Sequence, residues 1–302
     1  MPAGEQCSPM RFALVARSST PTNVALAAAG ADGPTWETMS PEVALETLRV
    51  GDAALGRLDV LPTLDGVEDG LWALGALAAR GVVVLNEAAA LLGAHDKLLT
   101  AWLLRRAGVE HPPTVLIRPG RPFPAVRPPV VVKPRFGSWG KDVLRCEDES
   151  TLLATLEELA DKTWFHRHGA LVQELVPPQG YDLRVLVAAN RALGAIYRVA
   201  AEGEWRTNIA LGGTRSPVPE LPLAASTLAI DAARATGTSL AGVDLLPCAE
   251  GEWTVLEVNG AVEFTREYET SGDVFAEVRS ELAHAVRATF IGGAETVPVQ
   301  AA

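Results

Sequence analysis

The chain has 302 residues and 48% hydrophobic content, which suits two or three compact units and excludes a disordered chain. A formal net charge of -11 argues against nonspecific nucleic-acid binding, which requires a basic face to neutralise phosphates. The three cysteines, Cys7, Cys146 and Cys248, contain no C-x-x-C pair, so they give neither a disulfide framework nor a thiolate zinc site and fit a reducing cytoplasm. No apolar run reaches membrane-spanning length and the N-terminus lacks a charged region followed by an apolar core, so a soluble cytoplasmic protein is expected.

Residues 12–16 read as a strand and the segment after Pro21 as a helix. A helix over 41–49, a strand over 58–61, a helix over 67–80 and a strand over 82–85 follow. This alternation predicts a small parallel sheet, giving a first domain over residues 1–90 with a Rossmann-like layout. No G-x-G-x-x-G follows the first strand, so dinucleotide binding has no support.

The second unit, residues 91–168, begins with helices. Asn86 is placed to cap the first, and the next opens with His95-Asp96-Lys97. A lysine in a first turn opposes the helix dipole, so Lys97 is expected to face an anion. The stretch 130–143 then joins three β-branched residues, Lys133 at a strand end, and Gly137 and Gly140, which free the backbone to turn its N–H groups toward an anion. Around it Arg118, Arg121, Arg127, Lys133, Arg135, Lys141 and Arg145 face the single acid Asp142, a basic island suited to polyphosphate.

The third unit, residues 169–302, is expected to open with the strand 170–176. An antiparallel pair over 181–188 and 192–199 places Asp182 and Arg184 on one face. Two later strands carry Asp244, Glu257 and Asn259. Glu257 and Asn259 share a face, and with Asp244 on the neighbouring strand the three oxygen donors converge as magnesium requires. A last helix is capped by Asp273.

These residues, in this order, resemble the ATP-grasp superfamily, and within it the RimK-type glutamate ligases and the LysX-type ligases of carrier-protein lysine biosynthesis. Asp96-Lys97 resembles the first nucleotide lysine. Lys133 with Gly137, Ser138, Trp139 and Gly140 resembles the second lysine and glycine loop, and Gln173-Glu174-Leu175-Val176 the adenine hinge. Asp182 and Arg184 lie in a G-x-D-x-R strand, Asp182 at the ribose end, and Arg206 and Asn208 in the (F/W)-R-(S/T)-N phosphate motif. Asp244, Glu257 and Asn259 resemble the magnesium triad.

The resemblance implies a three-domain α/β (α+β) ATP-grasp fold with a Rossmann-like pre-ATP-grasp domain. It also implies ATP with two magnesium ions, and catalytic roles for Lys133, Arg206 and Asn208. The implied activity joins an amino-acid amine to a carboxylate, of a small molecule or a carrier protein, through an acyl phosphate in a homo-oligomer (dimer or tetramer). A nucleotide-binding regulator without turnover is the alternative. Leu211 stands where these ligases place an arginine, and Gly260-Ala261 where the LysX branch has His-Thr. Leucine cannot pair with a carboxylate, so a less anionic substrate is expected.

Overall fold

The structure is a computed structural model that describes residues 10–28, 34–121, 125–248, 251–269 and 272–293. Strands β1 (Arg11–Val15), β2 (Thr35–Met39), β3 (Ala53–Gly56) and β4 (Val83–Leu85) alternate with helices α1 (Pro21–Ala28), α2 (Pro41–Thr47) and α3 (Leu71–Ala79). They form a parallel sheet in the order β2-β1-β3-β4. A parallel strand covered on both faces must be apolar throughout, and Phe12, Ala13, Leu14, Ala53, Ala54 and Leu55 are fully buried.

The strand expected at 58–61 is absent. The third strand is the Ala-Ala-Leu-Gly run just before it, whose small residues fit between two neighbours but give little β signal. Residues 58–67 instead form a loop closed by one bridge between Val60 and Val67.

The second sheet follows helices α4 (Ala88–His95) and α5 (Lys97–Arg106). It comprises β5 (Thr114–Ile117), β6 (Val130–Pro134), β7 (Leu144–Cys146) and, after α6 (Glu149–Leu159) and α7 (Thr163–His168), β8 (Ala170–Glu174). The order is β5-β8-β6-β7, all antiparallel. The strand expected to open the third unit therefore lies inside the second sheet, with Val172 paired to Val115 on one side and Val132 on the other. An apolar run announces a strand but not its partners.

The third sheet comprises β9 (Tyr181–Ala188), β10 (Arg191–Val199), β11 (Thr214–Pro217), and, either side of α8 (Leu223–Thr236), β12 (Leu240–Pro247) and β13 (Trp253–Asn259). Its order is β11-β10-β9-β12-β13. One face packs on the alanines of α8, Ala225, Ala229, Ala232 and Ala233. Leu186, Ile196 and Leu240 share a core with Phe12 and Leu55 of the first sheet. Phe275, Val278 and Leu282 of α9 (Val274–Gly293), which Asp273 caps through Phe275 N–H at 3.0 Å, complete this core. Leu64, from the 58–67 loop, inserts into the core of the second sheet instead. Among the described residues no helix is long and apolar enough to cross a membrane.

Asn86 does not cap α4, whose cap position is Glu87. It is buried and staples the first unit to the third: its Nδ2 donates to the carbonyls of Leu240 and Gly260, both at 2.8 Å. Its Oδ1 accepts from the N–H groups of Ser239 at 2.7 Å and Leu240 at 3.1 Å. Asn86→Ala leaves these backbone groups unpaired in the interior, and a loss of about 2–4 kcal/mol is expected in urea unfolding. A loss under about 0.5 kcal/mol would show that water replaces the staple.

Candidate active site

Lys133 is the penultimate residue of the buried strand β6, and its Nζ donates to Gln173 Oε1 on β8 at 2.7 Å. Burial, then the charge of Lys97, lower its pKa from 10.5 to about 7, with Glu257 offsetting part of the shift. A desolvated ammonium of this kind gains strongly from an anion. Lys97 has one: its Nζ donates to Glu257 Oε1 and to the Gly137 carbonyl, both at 2.7 Å. The anion expected opposite the first turn of α5 is thus Glu257. Asp96 caps that helix and binds Arg135 through both oxygens, at 2.7 and 2.5 Å.

The glycine loop is clasped from two sides. Arg206 Nη1 donates to the carbonyls of Gly140 at 3.1 Å and Val143 at 3.2 Å, while Glu204 takes the rest of the guanidinium. Lys141 reaches the Pro62 carbonyl of the first unit at 3.1 Å. Gly140 has φ +72°, and a Cβ there would lie 2.6 Å from Asn208 Oδ1, so both conformation and space require glycine. Leu211 packs on the same point: its Cδ1 would lie 3.0 Å from that Cβ.

On the acidic side Asp244 stands directly across from Glu257 in the β12–β13 register, and Asn259 lies two residues along on the face of Glu257. Arg184 binds Asp244 at 2.6 and 2.7 Å, and Arg198 binds it at 2.8 Å. Burial opposes the Asp244 charge, but the two guanidinium groups outweigh it and hold the carboxyl well below the usual carboxylate range. Asp182 is completely buried and takes Arg198 at 2.7 and 2.5 Å and the Thr207 hydroxyl.

The donor set fits magnesium. Two carboxylates and one amide oxygen line one cavity, and Asn259 spends its amide nitrogen on the Gly242 carbonyl at 3.3 Å, turning its oxygen into the available donor. A hard cation completes such a set with water and phosphate oxygens.

Fifteen of the residues nominated from sequence line one cavity: Lys97, Lys133, Gly137, Ser138, Trp139, Gly140, Gln173, Glu174, Leu175, Val176, Asp182, Arg206, Asn208, Asp244 and Glu257. Arg184 and Asn259 line an adjoining one instead. The two cavities meet at Ser138, Trp139, Arg198, Asn208, Asp244 and Glu257. Leu211 lines neither. Sequence reasoning missed Arg198 as a site residue, Glu204 and Asp59. An arginine near the end of the strand that pairs with the strand of Asp182 was the available signal.

Lys133 sets a pH dependence. Its pKa in the folded protein, about 7, lies below the unfolded 10.5, so between these values the unfolded chain holds the extra proton and this group's contribution to stability rises with pH. Thermal unfolding across that window should steepen upward in the wild type relative to Lys133→Met. Parallel curves would remove the assignment. A polyphosphate should draw the proton back, so ATP binding at pH 8.5 should take up protons in calorimetry with buffers of different ionisation heat.

Residues 94–282 match the family model of the RimK-like ATP-grasp domain. The chain is 33% identical over 223 residues to the tetrahydromethanopterin:alpha-L-glutamate ligase of Methanosarcina acetivorans, a match covering 68% of each chain. It is 32% identical over 184 residues to the alpha-aminoadipate–LysW ligase LysX of Sulfurisphaera tokodaii, covering 60% of this chain and 64% of that one. The fold is similar to the crystal structure of D-alanine–D-alanine ligase from Bacillus anthracis complexed with ATP. The TM-score is 0.68 at 17% identity, with 95% of this chain and 100% of that chain covered. The ATP-grasp family uses ATP and Mg²⁺ in general. With the matched domain spanning more than half of the chain, the protein belongs to the RimK-like ATP-grasp family of carboxylate–amine ligases.

Proposed function

We propose that the protein forms an amide bond between an amino-acid amine and the carboxylate of a small molecule or carrier-protein terminus, converting ATP to ADP and phosphate. The observation that carries this reading is the meeting of two cavities at Asp244 and Glu257. One has the lysines and the glycine loop that suit a nucleotide, and the other has room for an acid and an amine. The junction is where the γ-phosphate and the acid would meet.

A carboxylate oxygen attacks the γ-phosphorus and the bond to ADP breaks. The amine nitrogen then attacks the acyl carbon, phosphate leaves, and the nitrogen gives up a proton. Phosphoryl transfer asks mainly for positioning and charge neutralisation. Lys133, short of a carboxylate partner, binds phosphate; Lys97 exchanges Glu257 for it and Arg206 exchanges Glu204, keeping its hold on the loop carbonyls; Asn208 orients an oxygen at the junction. Asp244, Glu257 and Asn259 would hold magnesium, which would supply charge neutralisation for phosphoryl transfer. The clasp of Arg206 on the loop keeps water from an intermediate that would hydrolyse.

With hydroxylamine as a universal amine, a panel of acids should yield hydroxamate, ADP and phosphate. AMP and pyrophosphate as products would overturn the acyl-phosphate route. Glu257→Gln removes a magnesium carboxylate and the partner of Lys97, so kcat should fall by more than about a hundredfold with the fold intact. Wild-type turnover with unchanged magnesium dependence would contradict the metal role.

A further inference from the structure

The amide of Gln173 is buried on β8 between Thr114 of β5 and Val131 of β6, and a buried amide must place both its oxygen and its two N–H groups. Lys133 settles the oxygen. An ammonium only donates, so Oε1 faces Nζ at 2.7 Å and Nε2 faces the other way. There Nε2 meets Thr114 Oγ1 at 2.9 Å and His111 Nε2 at 3.3 Å. The Thr114 hydroxyl spends its proton on the Pro112 carbonyl at 2.9 Å, so it accepts from the amide. The remaining N–H goes to His111, whose Nε2 must therefore be bare, with the ring proton on Nδ1.

His111 lines neither cavity and is held on a stiff segment behind the nucleotide side of the cleft. Pro112 and Pro113 follow it and restrict the backbone. The Glu110 carbonyl takes the Val255 N–H of β13 at 2.9 Å, and the Pro113 carbonyl takes the Glu174 N–H of β8 at 3.0 Å. Burial, then the charge of Lys133, lower the His111 pKa from 6.5 to about 4, which keeps the ring a neutral acceptor at neutral pH. Lys97 on α5 and Glu257 on β13 act on Lys133, and among the described residues Lys133 is the one titratable group that acts on His111.

Resting on the nucleotide site of the ligase reading above, we propose that His111 is a positioning residue. Its bare Nε2 keeps the Gln173 amide turned with the oxygen on Lys133, and so keeps Lys133 an ammonium for the nucleotide phosphates. Without an acceptor at position 111 the amide is free to turn, and an N–H presented to Lys133 disfavours its charge. The consequence is a pH dependence. Phosphate binds the ammonium, so MgATP affinity falls as pH rises above the pKa of the free lysine, about 7, and loss of the acceptor brings that fall to lower pH. A merely structural role of His111 would weaken binding by the same factor at every pH.

The test is calorimetric binding of MgATP, with no acid or amine present, at pH 6 and pH 8.5. His111→Phe keeps a ring but no acceptor; it should bind within about twofold of the wild type at pH 6 and at least about fivefold more weakly at pH 8.5. His111→Gln can place an oxygen where Nε2 stands and should stay within about twofold of the wild type at both. In ¹H–¹⁵N spectra of the wild type at pH 7 the His111 ring, assigned by its absence from His111→Gln, should be the Nδ1–H tautomer. An Nε2–H tautomer, an equal loss at both pH values or no loss in His111→Phe overturns the proposal, while wild-type MgATP binding upholds the nucleotide site. No MgATP binding by the wild type overturns both. If His111→Phe does not fold, the tautomer and the His111→Gln variant decide.

Discussion

A guanidinium held between two buried carboxylates fixes the geometry of the cleft: Arg198 on β10 binds Asp182 on β9 and Asp244 on β12. Burial alone would discourage its charge, but the two carboxylates outweigh the penalty and raise its pKa. Removing one member of such a set strands a charge in the interior, at a cost of about 3–5 kcal/mol. Because Arg198 also lines both cavities, the interaction that aligns the three central strands of the sheet positions the junction where they meet.

The cleft carries its charges already paired. Lys97 sits on Glu257, Arg206 on Glu204, and Arg184 and Arg198 on Asp244. On the proposed reading, loading with nucleotide and magnesium would be an exchange, in which Asp244 and Glu257 would pass to the metal and Lys97 and Arg206 would turn to phosphate. Lys133 needs no exchange, having only an amide partner. Its lowered pKa is the cost of holding a cation ready in the dry end of the cavity.

Much of this arrangement was legible because β-strand geometry has a period of two. Asp244, Glu257 and Asn259 share a face as the strand pattern required, and Lys97 met an anion as the helix dipole required. Arg198 was hidden by a bulge. Counted straight back from the Asn190-Arg191 turn, Tyr197 falls opposite Asp182, but the extra residue between Ala192 and Gly194 shifts the pairing to Arg198. Asp59 was missed because 58–61 read as a strand of the first sheet, whereas it forms part of a loop beside the second cavity. The partners of β8 and the staple at Asn86 depend on long-range packing that no local pattern encodes.

The fate of oxygen in the activated acid bears most directly on what the junction does. With ¹⁸O in both carboxylate oxygens of an acid that supports ADP release, one labelled oxygen should appear in the released phosphate for each amide formed, the other staying in the product. Phosphate free of label, with ADP and amide formed in equal amounts, would contradict an acyl phosphate and with it the roles assigned to Lys133, Asp244 and Glu257.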